Sequence, residues 1–189
     1  MGEYRLIFTD KILDNVHGFI EFTQVEKELI ELPVFKRLQG IKQLGLTNWI
    51  FPGAEHTRFI HSLGVMHVAD QMAVQLGYDG EKRQLVRLSG LLHDIGHYPL
   101  SHVGERAYKA KEDGTGDVLE RQRAHVRQTI ESLDEEPFLY MQQAGNPYHH
   151  EQVTKKVIES DRDIRRIIEA RCGGSRLITI ENICDIITG

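Results

Sequence analysis

RFIHSLGVMH (residues 58–67) and LLHDIGHYPLSH (residues 91–102) decide how this chain reads. Together they hold five of its ten histidines, including the adjacent pair His93-Asp94, and the second stretch is otherwise largely apolar. Imidazole and carboxylate are the ligands of zinc, iron, nickel or manganese. Collecting them among apolar residues is costly unless a cation binds there. The two stretches therefore read as a metal site, of the kind a metal-dependent hydrolase uses to activate water.

Both stretches have helical spacing. Ile60, Leu63, Gly64, Met66, His67 and Ala69 mark one face of a helix that Thr57 opens and that ends near Gly77. Asp79-Gly80 starts the next helix, whose Leu85, Leu88, Leu91 and Leu92 carry it to about Ile95. Upstream, residues 5–9 and 18–23 have strand character around an Asp14-Asn15-Val16-His17-Gly18 turn, which predicts a small hairpin. Thr23 caps a helix over 24–31, and Pro33 opens another running to Leu44, with Val34, Phe35, Leu38, Ile41 and Leu44 on its apolar face and Gly45 at its stop. Downstream, Pro99 suits the first turn of a helix reaching Ala110, and residues 109–118 read as a polar loop. Helices are expected at about 119–133, 148–159, 161–171 and 176–187. Helices without alternating strands predict an all-α bundle with a small N-terminal β-hairpin, and residues 1–189 read as a single domain.

Composition narrows the function. A net charge of −5 gives no basic field for nucleic acid or an anionic membrane, so a phosphate-bearing ligand needs local cations or a metal. No apolar run approaches a membrane span, and the N-terminus lacks the apolar core of a secretory signal. Cys172 and Cys184 are too few for a disulfide scaffold and suit a reducing cytoplasm. A GxxxxGK loop and a GxSxG elbow are both absent, and Ser62 explains less as a nucleophile than metal-activated water does.

Neighbouring residues on a helix diverge by about 100°, so His93 and Asp94 converge on one point only at a helix end, where Gly96 and Pro99 place them. Helix-hairpin packing brings His61 opposite His93; the alternative is a pair of satisfied core histidines. His97 shares a face with His93 if the helix persists. His102 precedes Glu105 by three residues, a spacing that lets a carboxylate orient a general-acid imidazole, or that makes an ordinary surface pair. His67 reads as core, His125 as part of a charged face, His56 as a turn residue, and His149-His150-Glu151 as a helix start.

The motifs VHGFIEF (16–22), PVFKRLQGIKQLG (33–45), FPGAEHTRFIHSLGVMH (51–67), LLHDIGHYPLSH (91–102) and HEQV (150–153) resemble the HD superfamily of metal-dependent phosphohydrolases, in the branch of the deoxynucleoside triphosphate triphosphohydrolases. The resemblance implies a divalent metal (Mn, Fe, Zn, Ni or Mg) on His61, His93 and Asp94, and a dNTP hydrolysed to deoxynucleoside and triphosphate. It implies that Arg58 holds the phosphate nearest the sugar and that Gln43 and Leu44 contact the deoxyribose. His97, His102 and His150 would line the phosphate channel, with His102 protonating the leaving oxygen and Glu105 as its carboxylate partner. A homo-oligomer is implied as well. Alternatives are a nucleotidase or phosphodiesterase acting on mono- or cyclic nucleotides, and an inactive nucleotide-binding or assembly module. The last arises because the family's fourth ligand, an Asp in a DxDRxDY-like stretch, has no counterpart here; Asp185 falls on the wrong helix, and a truncated form is expected. Asp14-Asn15 replaces the family's Asp-Pro, and the surroundings of Asp10, Glu31, Lys36 and Gln39 do not reproduce its effector contacts.

Overall fold

The structure, a computed structural model, describes residues 4–112 and 149–189. His125, the helix expected at 119–133 and most of the expected polar loop lie outside these residues. The described part is a helical bundle with one antiparallel hairpin, as expected.

The hairpin pairs β1 (Phe8–Asp14) with β2 (Gly18–Thr23). Asp14 Oδ2 accepts from the backbone N–H groups of Val16 (2.9 Å) and His17 (2.8 Å), and Gly18 takes the left-handed conformation that closes the turn. Pairing runs back from this turn, so β1 covers 8–14 and not the expected 5–9. Most of β1 faces solvent, which removes the alternating pattern that would have marked it. β2 buries Ile20 and Phe22 and leads through Thr23 into α1 (Gln24–Glu31), where Glu26 Oε2 accepts from the Thr23 N–H at 2.8 Å.

Pro33 opens a helix, but only a short one. α2 (Pro33–Lys36) tightens into a 3₁₀ turn (Arg37–Gly40), and the chain is extended at Ile41, correcting the expected helix to Leu44. Tertiary contacts decide this. Arg37 donates to the carbonyls of Ile95 and His97, Lys42 bridges Thr57, and the Arg58 N–H reaches the Ile41 carbonyl at 2.9 Å. Phe35, Leu38 and Ile41 remain core, whereas Leu44 is exposed.

α3 (Arg58–Gln75) and α4 (Gly80–Leu92) are the paired helices expected from the two stretches, with Thr57 and Asp79 as N-caps. Their backbones approach closely at Gly90, where an added Cβ would lie 3.2 Å from the Met66 Cα. Leu88, Leu91, Leu92 and Ile95 are fully buried, each side chain contributing about 1.5–3 kcal/mol. A buried ion network locks α4 to α1: Arg87 donates from Nε and Nη2 to the two Glu26 oxygens at 2.7 Å each, while its Nη1 lies 3.1 Å from Asp70 of α3.

α5 (His102–Glu112), α6 (His150–Ser160), α7 (Arg162–Cys172) and α8 (Ile180–Thr188) follow, with α8 against α4 and α6, and α7 against α1. α5 begins at His102, not at Pro99, because Leu100 and Ser101 both adopt positive φ (61° and 58°), which no helix continues through. α6 docks on the turn after α4 through one hydroxyl. The Gly96 N–H donates to Thr154 Oγ1 at 2.9 Å, and that hydroxyl donates to the His93 carbonyl at 3.0 Å.

Gly96 is the tightest point of this contact: a Cβ would sit 2.2 Å from the Thr154 backbone nitrogen. Gly96→Ala should therefore cost more than the ~1–3 kcal/mol typical of overpacking, because backbone cannot swing aside. Gly90→Ala, facing contacts of 3.2–3.4 Å, should cost less. Thermal melts of the two variants check this order.

Candidate functional site

α4 ends at Leu92, and His93 to Gly96 form a turn. The pair His93-Asp94 thus lies at a helix end, one turn short of the expected boundary. His93 Nδ1 is 2.8 Å from the Gly90 carbonyl, an atom that can only accept. The ring therefore carries its proton on Nδ1 and turns the Nε2 lone pair outward, as a metal-binding imidazole does. His93 Nε2 lies 3.2 Å from His61 Nε2 and 3.5 Å from Asp94 Oδ1, and His61 Nε2 lies 3.7 Å from Asp94 Oδ2. Donors bound to one ion at ~2.0–2.2 Å are themselves roughly 3–3.5 Å apart. The triangle fits a single divalent ion, and the donor set suits several metals.

Asp94 is buried, and so is the arginine that meets it. Arg58 Nη1 donates to Asp94 Oδ2 at 2.6 Å, Nε donates to Ser101 Oγ at 2.9 Å, and Nη2 reaches the Gln43 carbonyl at 3.5 Å. Burial raises the Asp94 pKa, but His93 and Arg58 together hold it below the usual carboxylate range. Ser101 donates in turn to the Lys42 carbonyl at 2.6 Å. The left-handed turn at residues 100–101 thus places a hydroxyl under the guanidinium. Sequence reasoning missed Ser101, Thr154 and Arg37 as supports. Two consecutive non-glycine residues at positive φ leave no mark in sequence.

Beside the triangle lies a second group: His97, His102, Glu105 and His150, whose donor atoms all lie within 4.8 Å of one another. The helix does not persist, so His97 leaves the face of His93; its ring stacks on His150 (centroids 4.5 Å apart) and meets His102 edge-on (4.8 Å). His102 Nδ1 is 3.1 Å from Glu105 Oε2, and His150 Nδ1 is 3.4 Å from the same oxygen. Burial raises the Glu105 pKa, yet the His102 hydrogen bond and the close approach of the His150 ring outweigh it and hold the carboxyl well below its ordinary value.

Gln43 and Leu44 sit in the loop beside Arg58, with Gln43 Oε1 buried and unpaired. His67 is half-buried beside His17, not core, and its Nε2 meets Gln71 at 2.9 Å. Asp185 is exposed on α8 and joins neither group.

Burial, followed by Arg58 and His150, pushes the His97 imidazole down to about 3. The unfolded chain binds this proton below ~6.5 and the folded chain refuses it, so stability falls as pH drops from about 6.5 towards 3, by up to ~1.4 kcal/mol per unit. His61, lowered mainly by burial, adds the same sign. Glu105 adds the same sign at lower pH: its stabilisation is present above the unfolded carboxylate pKa and is lost as pH falls towards its lower folded value. In chelator-treated protein, His97→Gln should flatten the dependence of urea stability on pH between 6.5 and about 4.5. An unchanged slope would remove His97 as its source.

The family model described as HD domain matches residues 58–184. The chain belongs to the HD-domain family. This HD domain is similar, at 48% identity over 94 residues, to an uncharacterized protein of Methanocaldococcus jannaschii, covering 50% of this chain and 20% of that protein. It is 42% identical over 99 residues to the deoxynucleoside triphosphate triphosphohydrolase SAMHD1 of Bos taurus, covering 49% of this chain and 17% of that protein. The match thus spans a fifth or less of the length of these curated relatives. A crystal structure of a hypothetical protein from Aquifex aeolicus superimposes with a TM-score of 0.62 at 31% identity, covering 94% of this chain and 37% of that one.

Proposed function

We propose that this HD domain is the metal-dependent phosphohydrolase part of a dNTP triphosphohydrolase, releasing deoxynucleoside and triphosphate. The observation that carries the reading is the convergence of His61, His93 and Asp94 at 3.2–3.7 Å directly beside Arg58. A divalent ion held there would polarise the phosphate and acidify a bound water. Arg58 keeps Asp94 in place with one prong, and Nη2, only loosely engaged with the Gln43 carbonyl, turns to the phosphate nearest the sugar. The unpaired Gln43 Oε1 accepts from a sugar hydroxyl, and exposed Leu44 packs on the deoxyribose. His97 and His150 line the triphosphate path, and His102, oriented by Glu105, hands a proton to the departing 5′-oxygen. The reading extends to self-association in the cytoplasm, in keeping with Trp49, Ile50 and Phe51, large apolar side chains left on the surface.

A second reading is a nucleotide-binding module without turnover, favoured by the observation that only three donors converge at the triangle among the described residues. Offering dGTP and dAMP separately to metal-loaded chain decides between these. Triphosphate from dGTP supports the proposal. Orthophosphate from dAMP alone would make the domain a nucleotidase, and bound dGTP without product would make it a binding module.

A further inference from the structure

We propose that His97, His102, Glu105 and His150 form a second divalent-cation site, of the zinc type, built from none of the donors of the His61–His93–Asp94 triangle. Three buried nitrogens point to it. Both ring nitrogens of His97, which is 1% exposed, and Nδ1 of His150 have no hydrogen-bond partner. A buried polar atom left unpaired costs about 1–3 kcal/mol; a neutral imidazole carries one ring lone pair, so His97 and His150 together mark something that accepts one from each. The neighbours cannot, since imidazole faces imidazole across ring centroids 4.5–5.2 Å apart.

The carboxylate is aimed at the same point. Glu105 Oε1 takes the His150 backbone N–H at 3.2 Å, which fixes the plane of the carboxylate. Oε2 then stands 3.1 Å from His102 Nδ1 and 3.4 Å from His150 Nδ1. These separations are already those of ligands sharing one ion at ~2.0–2.2 Å. Three imidazoles and one carboxylate are the donors of a four-coordinate zinc site. Magnesium, which takes oxygen ligands and keeps its waters, has little to gain here. The positive charge of Arg58 does not forbid a cation, because Asp94 neutralises it at 2.6 Å.

The consequence for turnover rests on the proposed function. A zinc ion at this site takes up His102 and Glu105, the groups assigned to proton transfer, so filling it should silence hydrolysis while the triangle stays loaded.

Dialysis of the whole chain against zinc, followed by elemental analysis, should find two equivalents per chain. Glu105→Gln and His150→Gln should each retain one, and so should His61→Gln/His93→Gln; the retained equivalent reports that each variant is folded. Cobalt in place of zinc should give the intense visible bands of four-coordinate ions, and these should vanish in His150→Gln. One equivalent in the unaltered chain, or two in both Glu105→Gln and His150→Gln, would overturn the site. So would loss of the second equivalent in Glu151→Gln with retention in Glu105→Gln, since the ion would then lie between His149, His150 and Glu151. A chain that binds two zinc ions, yet hydrolyses no nucleotide when loaded with manganese in the absence of zinc, would sink the proposed reaction and leave this site standing.

Discussion

Asp94→Ala should cost the folded chain about 3–5 kcal/mol as well as its metal. The carboxylate is 1% exposed, and the guanidinium 2.6 Å away belongs to an arginine that is 2% exposed. Removing one partner leaves a buried charge with no counterion, which is far costlier than removing both. Arg58→Met in the Asp94→Ala background should therefore recover much of the stability and none of the metal affinity. His93→Ala should behave differently: its half-buried ring can leave without stranding a charge, so metal should be lost and the helical circular dichroism kept. Urea unfolding of the two single variants and the double variant gives the coupling energy directly. Additive losses would mean that the Arg58–Asp94 pair does not act as a unit.

The largest kinetic effect is expected at His102. If it protonates the leaving oxygen, His102→Ala should lower turnover by roughly 10²–10⁴-fold. Its side chain is more than half exposed, so stability should change little. With a nitrophenyl phosphate ester, whose leaving oxygen departs without a proton, the loss should be much smaller. Glu105→Gln should give a milder loss, since the imidazole keeps a hydrogen-bond partner but loses a charged one. These rates are best measured with manganese and without zinc, so that the second histidine group stays free for proton transfer. Equal losses with both leaving groups would make His102 a phosphate-positioning residue.

What could be read in advance follows a physical division. The spacing of Leu85, Leu88, Leu91 and Leu92 is local, and the α3–α4 pair and the HD dipeptide at a helix end follow from it. The break after Lys36 is not local. It depends on Arg37 reaching carbonyls at 95 and 97 and on the Arg58 N–H reaching Ile41. Propensity alone favours continuing that helix, and tertiary contacts override it. The same holds for Arg58. Its residue type suits phosphate, but only the folded chain shows most of its donors already engaged with Asp94 and Ser101. His67 misled for the opposite reason: a helical stripe gives the side a residue faces, not how much covers it.

Thr154 has no exposed surface, and its hydroxyl is the joint between α6 and the turn after α4. One side of that joint is the carbonyl of His93, in the triangle; a turn away on α6 is His150, in the other histidine group. The two sets of imidazoles are therefore surveyed from one fixed mark, and their mutual spacing is set by the reach of a single Cβ–Oγ bond. A valine of the same outline would fill the volume yet strand an amide proton and a carbonyl, and the helix could then slip along its axis. Alignment between the two clusters, more than the content of either, is what this threonine keeps.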